Sequence, residues 1–268
     1  MVYADLHVHT DVSDGTLSLS TIPDAARRAG VGVVGVTDHD RLHPGLDDPV
    51  TTVDGVEVVA GVELRVDTGD QRVDLLGYGV EPTDALQAEL DRIQRDRARR
   101  GRAIVECVED RLGVSLDVEI GEGLGRPNIA RAVVGHPDTA YERIDEVFED
   151  LIGMGDPCFV LREVPDFANG LSVLREASTL VSLAHPFRYD DPAAALERCD
   201  GLDAVETAYP YDRVVAGNDE DRARILTETV ERYDLLETGG SDAHGTTLGA
   251  AGLSKSQYER VADRLPAP

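Results

Sequence analysis

Short valine-rich runs that stop at a histidine or a carboxylate recur along the chain. "ADLHV" leads through His7 to His9, "VGVVGVTDHD" reaches His39, and "VVAGVE" ends on Glu63. "LVSLAHP" reaches His185, and "LLETGGSDAH" runs into Asp242 and His244. Strands that are apolar throughout predict a sheet covered on both faces, as in parallel α/β folds. The first intervening segment reads as a helix, with Ser20 or Thr21 to cap it, Pro23 in its first turn and Gly30 to stop it. In a parallel barrel the carboxyl ends of the strands form one rim, and active sites are built there. One histidine at a strand end would read as an exposed side chain. Five at equivalent places point to a shared task.

The residue types indicate what that task is. Imidazole and carboxylate without thiolate suit zinc, manganese or iron. Asp14, Glu63, Asp74 and Asp242 supply carboxylates beside His7, His9, His39, His185 and His244. This set exceeds what one tetrahedral ion needs, so two or three divalent ions (Mn2+, Zn2+ or Fe2+) sharing a bridging carboxylate are expected. Clustered metals serve phosphoryl chemistry, generating hydroxide at neutral pH and holding anionic oxygens. His43 and His136 read as structural or exposed. Asp40 either caps a turn or orients a ligand. "GVGVVG" lacks the context of a dinucleotide loop.

From Glu81 the rhythm changes. Residues 83–113 read as one long helix, and 127–134, 139–154 and 166–177 as further helices. Strand signals return after that. The expected organisation is a barrel made of 1–80 and 178–268, with 81–177 an inserted, mostly helical subdomain that caps the substrate. Acidic residues number 52 against 26 basic ones, a net charge of -26, and Lys255 is the single lysine. Such a chain repels itself at low salt and resembles halophilic proteins. It also disfavours stable binding of duplex nucleic acid, while a small anionic substrate held by metals fits. The run Arg95 to Arg102 reads as a solvated helix face paired with acids, more than as a contact for a nucleic-acid tail. No apolar run is long enough to cross a membrane and no secretory signal is visible, so a cytoplasmic protein is expected. Cys107, Cys158 and Cys199 are far apart and odd in number, which predicts idle thiols rather than a disulfide framework.

"DLHVHTDVSDG", "GVTDHD", "GVEL", "AHP" and "GSDAH" resemble, in order, the motifs of the polymerase-and-histidinol-phosphatase (PHP) family across most of the chain. The insertion with "GRPNIARAV" resembles the branch holding nucleoside 3′,5′-bisphosphate phosphatases and 5′-to-3′ exonucleases on short RNA or DNA. The resemblance implies an α/β fold, a distorted seven-stranded (β/α) TIM-like barrel. It implies one ion on His7, His9 and Asp242, a second bridged by Glu63 and held by His185, and a third on Asp14, His39 and His244. The family commonly has a histidine where Asp74 stands, and its "GRPH" reads "GRPN" here, with Asn128 in place of the histidine. The implied function is metal-dependent phosphoesterase: hydroxide activated by the ions attacks a nucleotide phosphate in line. Asp242 and Glu63 organise the centre, Arg126, Arg188 and Asn128 hold the phosphate, and His244 or a water protonates the leaving oxygen. The rival readings are a histidinol-phosphate phosphatase, a metal-binding module without turnover, and amidohydrolase chemistry on a similar barrel. The last is disfavoured by motif order and by the lack of a candidate carboxylated lysine, since Lys255 lies in the tail.

Overall fold

The computed structural model describes residues 1–121, 124–211 and 219–267. In chain order the elements are β1 (Ala4–Val8), α1 (Ile22–Ala29), β2 (Val33–Val36), β3 (Val50–Val53), β4 (Val56–Asp67), β5 (Arg72–Val80), α2 (Asp84–Leu112), α3 (Arg126–Gly135) and α4 (Ile144–Val147), which runs into a π-turn at Phe148–Ile152. They continue with α5 (Phe167–Ala177), β6 (Ser178–Leu183), a 3-10 turn (Pro186–Arg188), α6 (Pro192–Glu197), β7 (Ala204–Ala208), α7 (Asp219–Tyr233), β8 (Leu236–Gly239) and α8 (Lys255–Ala262).

Seven strands follow the order β1-β2-β4-β5-β6-β7-β8, with β3 paired to β4 on the side. A bridge between Val8 and Ala243, with His9 N–H donating to the Ala243 carbonyl at 3.0 Å, brings the two ends together, so the barrel is nearly closed. Both faces are covered, as the valine-rich strands require. Val33 and Val59 belong to a cluster with Leu6, Leu76 and Leu180. Their neighbours Val34 and Val58 pack in another with Ile22, Ala25 and Ala26 of α1. Gly30 ends α1 at φ 71, the left-handed conformation read from its position.

The sheet is not uniformly parallel. β4 and β5 form an antiparallel hairpin, and β5 is also antiparallel to β6. The turn between them is short: Thr68 and Gln71 hydrogen-bond across it. Too few residues intervene for the crossover that parallel strands need. β5 therefore runs against its neighbours, and its opening residues, Asp74 among them, lie at the rim where the other strands end.

The chain divides into two compact units, Met1–Gln87 with Val164–Pro268, and Ala88–Glu163. These boundaries lie inside those drawn from the sequence. α5 belongs with the strands because its buried face, Gly170, Leu174 and Ala177, packs on β4 to β6. The Ala88–Glu163 unit has its own core, with Ile104, Val108, Ile129, Val133, Val147 and Ile152 at its centre. The expectation of idle thiols is corrected here. Cys107 and Cys158 form a disulfide with their Cα atoms 5.5 Å apart, and only Cys199 is free. Wide spacing hid the pair, since α2 and the segment after the π-turn meet only in the folded core. Within the Arg95–Arg102 run, Arg99 pairs with Asp96 and Glu163, and Arg100 donates to the Val160 carbonyl.

Candidate metal centre

Four strand ends and one hairpin supply the site. Buried His7, the last residue but one of β1, and His9 just beyond it are fully enclosed. His39 follows β2, Glu63 lies within the long β4, His185 follows β6, and Asp242 and His244 follow β8. Asp14 arrives on the loop after β1. Two buried carboxylates fix these loops. Asp38 accepts from the Thr10 N–H and Oγ1 at 2.7 Å and from Ser13 Oγ at 2.6 Å. Asp5 accepts from the Ser241 N–H at 2.8 Å, Ser241 Oγ at 2.6 Å and the Gly249 N–H at 2.8 Å. Backbone strain concentrates at the same rim: Asp40, His185 and Asp242 have φ of 49°, 26° and 50°. Non-glycine residues hold such angles only where the surroundings over-determine them.

The side chains converge in three groups, His7 with His9 and Asp242, His7 with Glu63 and His185, and His9 with Asp14, His39 and His244. Glu63 links them. Its Oε2 stands 3.5 Å from His7 Nε2, 3.4 Å from His9 Nε2 and 2.7 Å from His39 Nδ1, and its Oε1 stands 3.0 Å from His185 Nε2. Asp242 Oδ1 lies 3.0 Å from His9 Nε2 and 3.5 Å from His7 Nε2, and Asp14 Oδ1 lies 3.2 Å from His244 Nε2.

These atoms fit a divalent cation. His7 Nε2, both nitrogens of His9, Glu63 Oε2, His185 Nδ1 and Asp242 Oδ1 are buried without a well-formed hydrogen bond among the described residues. Buried polar atoms rarely lack partners. Close but misaligned donors are what a shared ion produces, since metal–nitrogen bonds of 2.0–2.1 Å at tetrahedral angles set ligands about 3.3 Å apart. Electrostatics agree. Burial raises the Glu63 carboxyl, but the His39 and His7 charges and a His185 hydrogen bond outweigh it and hold it well below the usual carboxylate range. Burial is likewise overcome at Asp14, mainly by His244, and at Asp242, mainly by His9 and His7, so both stay ionised. Burial lowers His244 but Asp14 pulls it up to about 9, while burial and the neighbouring His39 take His9 down to about 4. The pocket favours positive charge at its centre.

Glu206 on β7 is a residue that sequence reading passed over. It is fully buried, its Oε1 lies 3.2 Å from His7 Nδ1, and its Oε2 accepts the His185 N–H at 2.7 Å. Accepting the Nδ1–H leaves the His7 Nε2 lone pair facing the centre. The only sequence signal was a glutamate inside an apolar strand, "AVETA".

The remaining expected residues fall out differently. Arg188 reaches the site, donating through Nη1 to Asp242 Oδ2 and to the Tyr209 hydroxyl, each at 2.8 Å. Asp74 lies at the edge, its Oδ2 3.8 Å from His185 Nε2, but it is outside the converging groups and both its oxygens are held by Arg65. Arg126 and Asn128 belong to the Ala88–Glu163 unit. There Arg126 donates to the Ile152 carbonyl and lies over Phe148, and Asn128 Oδ1 accepts the Gly125 N–H at the start of α3. His43 and His136 each accept a backbone N–H two residues on, Gly45 and Asp138, as loop residues.

No protein-family model matches the sequence. Curated relatives do. The chain is 31% identical over 258 residues to phosphoribosyl 1,2-cyclic phosphate 1,2-diphosphodiesterase of Eggerthella lenta, covering 90% of this chain and 94% of the relative. The chain belongs to the PHP-type metal-dependent phosphoesterases. It is also 26% identical over 270 residues to the 3′,5′-nucleoside bisphosphate phosphatase of Chromobacterium violaceum, covering 96% and 92%. Its fold matches a solved structure from Bifidobacterium adolescentis assigned as a metal-dependent phosphoesterase, with a TM-score of 0.77 at 24% identity over 99% of this chain and 97% of that one. The chain is a hydrolase of phosphoester bonds.

Proposed function

We propose that this phosphoesterase removes phosphate from a small nucleotide, either a nucleoside 3′,5′-bisphosphate or the 5′-phosphorylated end of a short oligonucleotide. The observation that carries the reading is the convergence of eight side chains, five of them with buried atoms that lack a hydrogen bond among the described residues, with the Arg188 guanidinium beside them. His7, His9 and Asp242 would hold one ion, Glu63 and His185 with His7 a second, and His9, Asp14, His39 and His244 a third, with manganese, zinc or iron suited to the donors. Bound divalent ions supply a nucleophile from water at neutral pH and neutralise phosphate charge.

The chain's own residues do the rest. Arg188, held by Asp242 and Tyr209, offers its remaining donors to phosphate oxygens and orients them. Glu206 and Glu63 fix the imidazoles around the reacting phosphate, so little reorganises as charge develops. Two contacts support a ligand's role for His244: its Nδ1 lies 2.9 Å from the Asp242 carbonyl and its Nε2 faces Asp14. With both nitrogens engaged there, the leaving oxygen would take its proton from water, His244 being the alternative donor.

The excess of acid over base supports a protein adapted to high salt, and the substrate class supports the cytoplasm. No helix is long and apolar enough to cross a membrane among the described residues. The experiment is phosphate release from adenosine 3′,5′-bisphosphate at high salt with added Mn2+, run beside 5′-phosphorylated short RNA, phosphoribosyl 1,2-cyclic phosphate and histidinol phosphate. Turnover of a nucleotide, abolished by chelator, is expected. Turnover of histidinol phosphate alone, or of none of them by fully metal-loaded protein, would overturn the nucleotide reading.

A further inference from the structure

We infer that Arg65 is a substrate-binding residue of this centre, held by Asp74 so that its guanidinium meets phosphate at the His185 side. The inference rests on the phosphoesterase reading. Arg65 and Asp74 are direct partners across the β4–β5 hairpin. Nε donates to Oδ1 at 2.7 Å and one Nη to Oδ2 at 2.6 Å, the two-pronged geometry of the strongest arginine–carboxylate pairs. Asp74 is pinned from behind as well, because its N–H donates to the Tyr189 hydroxyl at 2.8 Å, which itself donates to the Ala184 carbonyl. Its side chain is 2% exposed. Unpaired, a charge buried that deeply would be costly, and Arg65 compensates it.

The pairing changes what each partner can do. Asp74, with both oxygens engaged, is a support for the guanidinium rather than a ligand, and the atoms that converge nearby come from His7, Glu63 and His185. Arg65 stays 42% exposed in its side chain. A guanidinium has five N–H donors, and among the described residues its side-chain hydrogen bonds go to Asp74 through two of them. Arg65 also stands two residues after Glu63 on one strand, so both side chains leave the same face. The guanidinium is thus fixed beside the centre with donors to spare. Arg188 has the same construction on another segment, an exposed arginine tied to the site carboxylate Asp242. Two carboxylate-anchored arginines at a rim otherwise rich in carboxylates form a clamp for the oxygens of a phosphate group.

The test uses the metal-loaded full chain and inorganic phosphate as probe. In the double variant Arg65→Gln/Asp74→Asn both charges leave together, so no buried ion is orphaned. In Arg65→Lys the charge stays and the fork is lost. Metal content by elemental analysis and phosphate affinity by calorimetry are read for each. The expected result is wild-type metal content in both variants, with phosphate affinity about tenfold weaker in the double variant and less so in Arg65→Lys. Wild-type phosphate affinity in the double variant overturns the assignment of Arg65. Loss of an ion in the double variant overturns it too, by making Asp74 a ligand. If loaded wild-type protein binds no phosphate, the seating of a phosphate group at this centre falls, and the role of Arg65 falls with it.

Discussion

The histidines of this site are visible in the sequence because each ends an apolar strand, but the residues that aim them are not. Glu206 touches His7 and the His185 backbone from β7, 199 residues away from His7 in sequence. Only the closure of the barrel brings those segments together. Gln at 206 keeps one acceptor and loses the other, while Ala loses both. We expect Glu206→Ala to weaken metal binding about 10–100-fold and Glu206→Gln less, measured by competition with a chromogenic chelator. Unchanged affinity in both would make Glu206 a packing residue only. Asp74 shows what strand register adds to sequence reading. As a carboxylate at a position where the family commonly has histidine it invited a ligand's role, and the arginine across the hairpin that claims both its oxygens could not be paired with it until strand register was known.

At the level of elements, the first helix, those read over 83–113, 127–134 and 166–177, and most strands were legible, because 3.6-residue periodicity and valine runs are local signals. The helix read over 139–154 shrinks to Ile144–Val147 with the π-turn after it, and α6, α7 and α8 were not read. The long helix expected over 83–113 is α2 at Asp84–Leu112. The direction of β5 was not legible, since an apolar strand reads alike in either direction and only the short 68–71 turn decides. The approach of one element to another was equally hidden. A Cβ at Gly240 would sit 2.3 Å from the His7 N and 2.4 Å from the His7 Cβ. Backbone atoms cannot yield there cheaply. Gly240→Ala is therefore expected to destabilise the protein by more than about 2 kcal/mol by urea unfolding and to lower metal content. A wild-type urea midpoint would contradict the packing of β8 against β1. The Cys107–Cys158 bridge spans 51 residues of sequence. By chain entropy it stabilises by up to about 4 kcal/mol. Reductant should then make the Ala88–Glu163 segment the first site of proteolysis, and an unaltered cleavage pattern would contradict that.

For the molecule as a whole, the charge balance and the metal-competent side chains carry the expectations left to experiment. A net charge of -26 at pH 7 implies repulsion among exposed carboxylates that salt screens within about 3 Å at 1 M. The thermal midpoint should climb steadily from 0.1 M to 2 M KCl, and a flat profile would refute adaptation to salt. The central claim is the metal centre itself, and metal content decides it most directly. Protein purified at high salt, stripped with chelator, reloaded with Mn2+ or Zn2+ and freed of excess ion should carry two or three ions per chain by elemental analysis, and His9→Ala/Asp242→Ala should carry fewer. Wild-type protein that retains no ion after this treatment would contradict the account.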